Sequence, residues 1–137
     1  MVAVDCNVLA YVLIDAEHTA KARALLARDP DWQSDTLVLV ELSNVLATAM
    51  RVRRLPLAEA HLALVHAQDV VDAGLHEADH ADVLALASQL RVSAYDARYL
   101  VVAKALGVRL VTEDAKLRRA APALTQTIVE ALAAGPA

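Results

Sequence analysis

With a single cysteine, Cys6, the chain has no intramolecular disulfide and no second thiol for a zinc knuckle. Its neighbours Asp5 and Asn7 supply neither a base nor a positive charge to activate a thiolate, so a small buried residue is the expected role. Three glycines in 137 residues leave no Gly/Ser linker and no Gly-rich phosphate loop, which removes the P-loop nucleotide site. Phenylalanine is absent and aromatics make up 3% of the chain, although 58% is hydrophobic. Ala, Val and Leu must then fill the core, a filling that suits helices packed on a β-sheet. Apolar runs are broken by charge well before about 18 residues, and a strand pattern begins directly after Met1 without a basic segment ahead of it. Neither a transmembrane span nor a signal peptide is expected, which points to a cytoplasmic protein without a membrane partner. A formal net charge of -4 argues against coating nucleic acid by electrostatics alone. It leaves room for an enzyme whose acidic groups gather in one pocket.

Length and the absence of repeats suit one domain over residues 1–137, able to bury about two thirds of its unfolded surface. Apolar spacing predicts a buried strand over Met1 to Val4, then helices over Asn7 to Leu13, His18 to Arg28 and Leu37 to Arg53. Asp29-Pro30-Asp31 is read as a breaker, and Pro56 opens a helix from Leu57 to about Gln68. Val70, Val71 and Ala73 suggest a strand before Gly74, and Glu77 to Leu90 a helix. A further helix from about Tyr95 to Leu106 stops at Gly107, and Val108 to Val111 is the clearest strand. A short helix from Ala115 to Arg119 and a last strand around Thr127 to Val129 complete the pattern. Strands alternating with helices imply a three-layer α/β/α domain with a central, mainly parallel sheet, whose sites lie at the carboxyl ends of strands.

One carboxylate, Glu41, falls inside the apolar run Leu37 to Leu46, on a helical face shared with Leu37, Val38 and Val45. Burying a lone carboxylate is costly unless something pairs with it. Asn44 and Thr48 extend a polar stripe along that face, so Glu41 is directed at something polar. Asp5 directly follows the first strand and Asp114 lies just past Val111, so both face the same rim; the loop before Asp96 can reach it too. Helix capping accounts for each aspartate singly, because Asp5, Asp96 and Asp114 each sit at or near a helix start. Capping does not account for Glu41. A hard divalent cation held by oxygens, Mg²⁺ or Mn²⁺, would reconcile carboxylates that otherwise repel one another.

Four segments carry these acids in order: Val4-Asp5-Cys6-Asn7-Val8-Leu9, Glu41-Leu42-Ser43-Asn44-Val45-Leu46, Tyr95-Asp96-Ala97-Arg98-Tyr99-Leu100-Val101-Val102-Ala103, and Leu110-Val111-Thr112-Glu113-Asp114-Ala115-Lys116-Leu117. Together they resemble the PIN-domain ribonucleases, particularly the VapC type of toxin from bacterial toxin–antitoxin pairs. The resemblance implies a Mg²⁺- or Mn²⁺-dependent endoribonuclease that hydrolyses RNA phosphodiesters by metal-activated water. It places Asp5, Glu41, Asp96 and Asp114 on the family's acidic quartet, as metal ligands and catalytic groups, with Asn7, Asn44 and Thr112 beside them. It also implies RNA as substrate, a cognate antitoxin protein and a homodimer.

Three other readings stand beside it. An inactive PIN-like binding module would keep the fold without the chemistry. His76-Glu77-Ala78-Asp79-His80 satisfies the H-E-x-x-H pattern of zinc peptidases, but no histidine follows His80 to supply a third ligand, and His76 falls at or before a helix start. A haloacid-dehalogenase-like phosphatase would need a second Asp where Asn7 stands. Arg51, Arg53 and Arg54, Lys116, Arg118 and Arg119, and Arg98 are candidates to guide a phosphate backbone, although the first group also suits the end of a helix dipole. Trp32, Tyr11, Tyr95 and Tyr99 are the only rings available for stacking on bases.

Overall fold

The computed structural model describes residues 1–135. Its centre is a five-stranded sheet in the order β3-β2-β1-β4-β5, built from β1 (Val2–Val4), β2 (Trp32–Asp35), β3 (Leu75–His76), β4 (Leu110–Val111) and β5 (Thr125–Gln126). Every pairing is parallel, where the sequence suggests only a mainly parallel sheet. Successive strand side chains point to opposite faces, and Val2, Ala3 and Val4 are all buried, so helices must cover both faces. The helices are α1 (Cys6–Leu13), α2 (Thr19–Arg28), α3 (Leu37–Val52), α4 (Leu57–Val71), α5 (His80–Leu90), α6 (Ala94–Ala105), α7 (Ala115–Ala120) and α8 (Ile128–Ala133). The α/β architecture is thus the expected one, and no helix among the described residues is long and apolar enough to cross a membrane.

From β1 the chain moves outward through β2 to β3, and then α5 and α6 carry it back to β4 on the other side of β1. β1 and β4 are neighbours, with Ala3 opposite Leu110 and Val4 opposite Val111, yet their connections leave in opposite directions. This reversal opens a crevice at the carboxyl ends of the two strands, the usual place for a ligand in an open parallel sheet.

Three strand positions differ from the sequence reading, each for a local reason. β2 goes unread because Gln33, Ser34 and Asp35 are polar, although all three are buried. Their side chains replace apolar packing with hydrogen bonds: the Ser34 hydroxyl donates to the Val4 carbonyl at 2.7 Å, and the Gln33 amide donates to Asp31 at 2.6 Å. Val70 and Val71 belong to the end of α4, and the strand comes after Gly74, at Leu75–His76. Thr127 to Val129 is no strand: Thr127 caps α8, accepting from the Glu130 N–H and donating back to its carboxylate, while the strand lies earlier at Thr125–Gln126.

Gly74 sets the approach of β3 to β2. Its carbonyl accepts from the Ser34 N–H at 2.8 Å, and a Cβ on this residue would stand 2.1 Å from the Trp32 carbonyl oxygen. Gly74→Ala is expected to cost about 2–3 kcal/mol, because backbone rather than a pliant side chain must move. Gly107→Ala, at φ +74° with nothing within 4 Å, should lose only about 1 kcal/mol. Urea unfolding of the two variants checks this, and equal losses would show that close approach is not what selects glycine at residue 74.

Candidate active site

Asp5 occupies the crevice between β1 and β4. It caps α1, its Oδ1 accepting from the Val8 N–H at 3.0 Å, and its Oδ2 accepts from the Thr112 hydroxyl at 2.6 Å. Thr112 Oγ1 in turn accepts from the Asp114 N–H at 3.1 Å, so one fully buried hydroxyl joins the ends of the two central strands. Asp114 caps α7, with Oδ1 accepting from the Lys116 and Leu117 N–H groups. Capping and facing the crevice are therefore not alternatives for Asp5 and Asp114; they do both.

Asp96 is different. The cap of α6 is Ser93, whose hydroxyl oxygen accepts from the Asp96 N–H at 3.0 Å, and no protein donor among the described residues engages the Asp96 carboxylate. Glu41, one turn into α3, receives the O–H of Tyr99 on Oε1 at 2.5 Å. Its partner in the apolar helix is thus a neutral phenol and not a cation. Asp5, Glu41, Asp96 and Asp114 all line one cleft of about 340 Å³, together with Asn7, Asn44, Cys6, Tyr95 and Tyr99. Asn7 and Asn44 are exposed on its lip.

A fifth rim carboxylate lies in the strand that the apolar pattern does not reveal. Asp35 ends β2 and is fully buried; Oδ1 accepts from the Ala78 N–H at 3.0 Å, and Oδ2 from the Leu37 N–H at 2.7 Å and the Arg98 Nε at 2.8 Å. Arg98 is consumed by this ion pair and is not free to guide a phosphate. Two of the four aromatic side chains are likewise unavailable for stacking, since Trp32 and Tyr99 are buried in the core. Tyr11 is half-buried with its ring against His18, and only Tyr95 stands exposed at the cleft.

The H-E-x-x-H pattern loses its geometry. His76 lies in β3 with Nε2 at 2.6 Å from Gln33 Oε1, Asp79 caps α5, and His80 is the first residue of that helix. The two histidines are therefore not one helical turn apart, which the zinc motif requires. Cys6 is buried and its thiol is pushed up to about 12 by burial and by Glu41 and Asp5, so it is no nucleophile.

The PIN domain family model matches residues 2–122 of the chain. The protein belongs to the PIN domain family. Among solved structures it is similar to PAE2754 from Pyrobaculum aerophilum, at 25% identity and a TM-score of 0.70, over 95% of this chain and 88% of that one. Comparison with curated proteins gives no match. PIN domains are generally nucleases, hydrolases of phosphodiester bonds that typically use divalent metal ions.

The cleft of this PIN domain has the donor chemistry such an ion needs. Four carboxylates and two amides offer only oxygen as anionic or carbonyl donors, the set preferred by a hard divalent cation. Burial raises the Asp5 carboxyl from 3.8 to about 6 even though Thr112 and Val8 donate to it, and Asp96 and Asp114 push the same way. Asp96 is also raised, by burial first and then by the charges of Asp114 and Glu41. A cation would relieve these repulsions. As the side chains stand, no three His, Cys, Asp or Glu groups among the described residues converge on one point to hold a metal. The chemistry fits the ion, then, while Asp5, Glu41 and Asp114 rest on neutral donors of their own and the Asp96 carboxylate has none among the described residues.

Because the folded chain holds the Asp5 proton more tightly than an unfolded chain does, stability falls as pH rises from about 4 through about 6. Asn is as good a cap as Asp and carries no charge. In a chelator, Asp5→Asn should therefore be more stable than wild type at about pH 8, by on the order of 2–3 kcal/mol, with the gain vanishing below about pH 4. Denaturant titrations at several pH values would measure this; a variant less stable than wild type at high pH would show that the carboxylate is paired and not strained.

Proposed function

We propose that this PIN domain is a Mg²⁺- or Mn²⁺-dependent endoribonuclease, acting as the VapC-type toxin of a type II toxin–antitoxin pair. The observation that carries the reading is the gathering of Asp5, Glu41, Asp96 and Asp114 along one cleft inside the region that matches the family. Asp5 and Asp96 would be the principal groups to hold the ion, with Asp114 completing the set and Glu41 acting directly or through a water. A divalent ion held there would supply neutralising charge for the phosphoryl oxygens and a water of lowered pKa as the nucleophile for phosphodiester hydrolysis. Thr112 keeps Asp5 oriented through its hydroxyl, and Asn7 and Asn44 offer hydrogen bonds to the substrate backbone. Lys116, whose charge acts on Asp96, and the exposed Arg51, Arg53 and Arg54 draw in phosphates, while Tyr95 stacks on a base.

Two partners belong to the proposal. An antitoxin would place an Arg or Lys among the four carboxylates, where a guanidinium fork bonds them and excludes the ion. An apolar pocket of about 270 Å³ adjoins the cleft, sharing Asn7 and Val45 with it and lined by Ala10, Ile14 and Val52, and so would seat an apolar side chain a few residues from that cation. A homodimer is the second partner. Rich in Ala, Leu and Val, α2 and α3 would supply the two-fold contact, and α4 adds the exposed Leu57, Leu62 and Val65.

Asp96→Asn should reduce RNA cleavage by at least about a hundredfold and change unfolding free energy by less than about 1 kcal/mol, since its carboxylate gives up no protein hydrogen bond. Millimolar Mn²⁺ should raise the Tm of the wild type more than that of the variant. A variant that cleaves at the wild-type rate sinks the nuclease site. The toxin role has its own test: expression should arrest growth, and co-expression of the neighbouring small reading frame should relieve it. A chain harmless in cells and inhibited by no neighbouring product overturns the toxin assignment and leaves the nuclease standing.

A further inference from the structure

We infer that Tyr99 is a positioning residue: its buried O–H fixes the Glu41 carboxylate and so sets the spacing between Glu41 and Asp96 across the cleft. The inference rests on the metal-site reading above and concerns how that site is kept in shape. Tyr99 and Asp96 lie three residues apart on α6, hence on one helical face. Tyr99 is 2% exposed and reaches across to α3, where its hydroxyl donates to Glu41 Oε1 at 2.5 Å. The other carboxylate oxygen has no protein donor among the described residues, in a side chain that lines the cleft. A phenol has two torsions and a stiff ring, so it holds its oxygen at a nearly fixed distance from the helix that carries Asp96.

The residue before it makes a second tie between the same helices. Arg98 Nε donates to Asp35 Oδ2, which also accepts the Leu37 N–H at the start of α3. Two links therefore tie the second turn of α6 to α3: an ion pair that reaches the start of α3 through Asp35, and a phenol that bonds Glu41 one turn further along. The choice of donor matters as much as its place. Arg or Lys at residue 99 would orient Glu41 equally well but would neutralise it and compete with a cation in the cleft. A phenol donates one hydrogen bond and leaves the negative charge in place.

A rival account makes Glu41 merely the acceptor that a buried phenol requires, with no consequence for the cleft. Mn²⁺ binding without RNA, followed by the paramagnetic resonance signal of free Mn²⁺, separates the two. It is measured for wild type, Tyr99→Phe, Glu41→Gln and the double variant. Phe keeps the ring in the core and removes only the oxygen, and the thermal melt in chelator reports whether the fold is retained. Each single variant should bind Mn²⁺ about tenfold more weakly, and the double variant no more weakly than Glu41→Gln alone. In cleavage assays Tyr99→Phe should need more Mn²⁺ for half-maximal rate and recover most of kcat at saturation. Unchanged affinity in Tyr99→Phe, or the same loss with and without Glu41, overturns the inference while leaving the site intact. If Glu41→Gln and Asp96→Asn both bind Mn²⁺ like wild type, the metal-site reading falls and this inference with it. Should Tyr99→Phe melt far below wild type, 4-fluorophenylalanine at residue 99, which fills the space of the hydroxyl without donating, repeats the affinity measurement, and unchanged affinity again overturns it.

Discussion

Thr112 Oγ1 is the atom on which the cleft depends. It donates to Asp5 and accepts from the backbone of Asp114, so residues separated by most of the chain meet through one buried hydroxyl. Placing several carboxylates along one rim opposes folding, because each loses water and each repels the next. The molecule answers with neutral or local donors: a threonine and a helix N–H for Asp5, two helix N–H groups for Asp114, a phenol for Glu41. Asp35, by contrast, receives the full positive charge of Arg98 and is withdrawn from the cleft. That contrast separates an acid neutralised within the fold from acids held at the cleft by neutral donors or by none.

Much of this was legible in the sequence, and what was not has physical causes. Asp5 and Asp114 could be placed because both follow strands whose Val and Leu residues mark them, and parallel strands present their carboxyl ends on one side. Glu41 stood out as a charge inside an apolar helix. β2 stayed hidden because Gln33, Ser34 and Asp35 are buried through hydrogen bonds, which leave no hydrophobic period to read. The hidden strand also hides Asp35 and its pairing with Arg98, which leaves the arginine free on sequence grounds alone. The Thr127-to-Glu130 capping box was present in the letters, but three β-branched residues in a row, Thr127, Ile128 and Val129, read more readily as strand. Tyr99 carried no local signal at all: a tyrosine in a helix looks like core or surface, and only the packing of α6 beside α3 gives its hydroxyl an acceptor.

The sheet order explains why a fold with so little aromatic content builds a polar cleft without weakening its core. Large buried side chains such as Leu42, Leu100 and Leu110 lie on the inward faces of α3, α6 and β4, the same elements that carry or lead to the acids. The acids sit at element ends or one turn in, where backbone donors are unpaired and where the reversal between β1 and β4 leaves room. Core and cleft thus use different parts of the same helices and strands.

The cleft draws its acids from four separated segments, and β1 must pair with both β2 and β4 before they face one another. A nascent chain that has reached only Asp96 has three of the four carboxylates and lacks both Thr112 and the strand that aligns Asp5. During synthesis the cleft therefore takes shape only after residue 114 has emerged from the ribosome, and no shorter nascent chain can bring all four acids face to face.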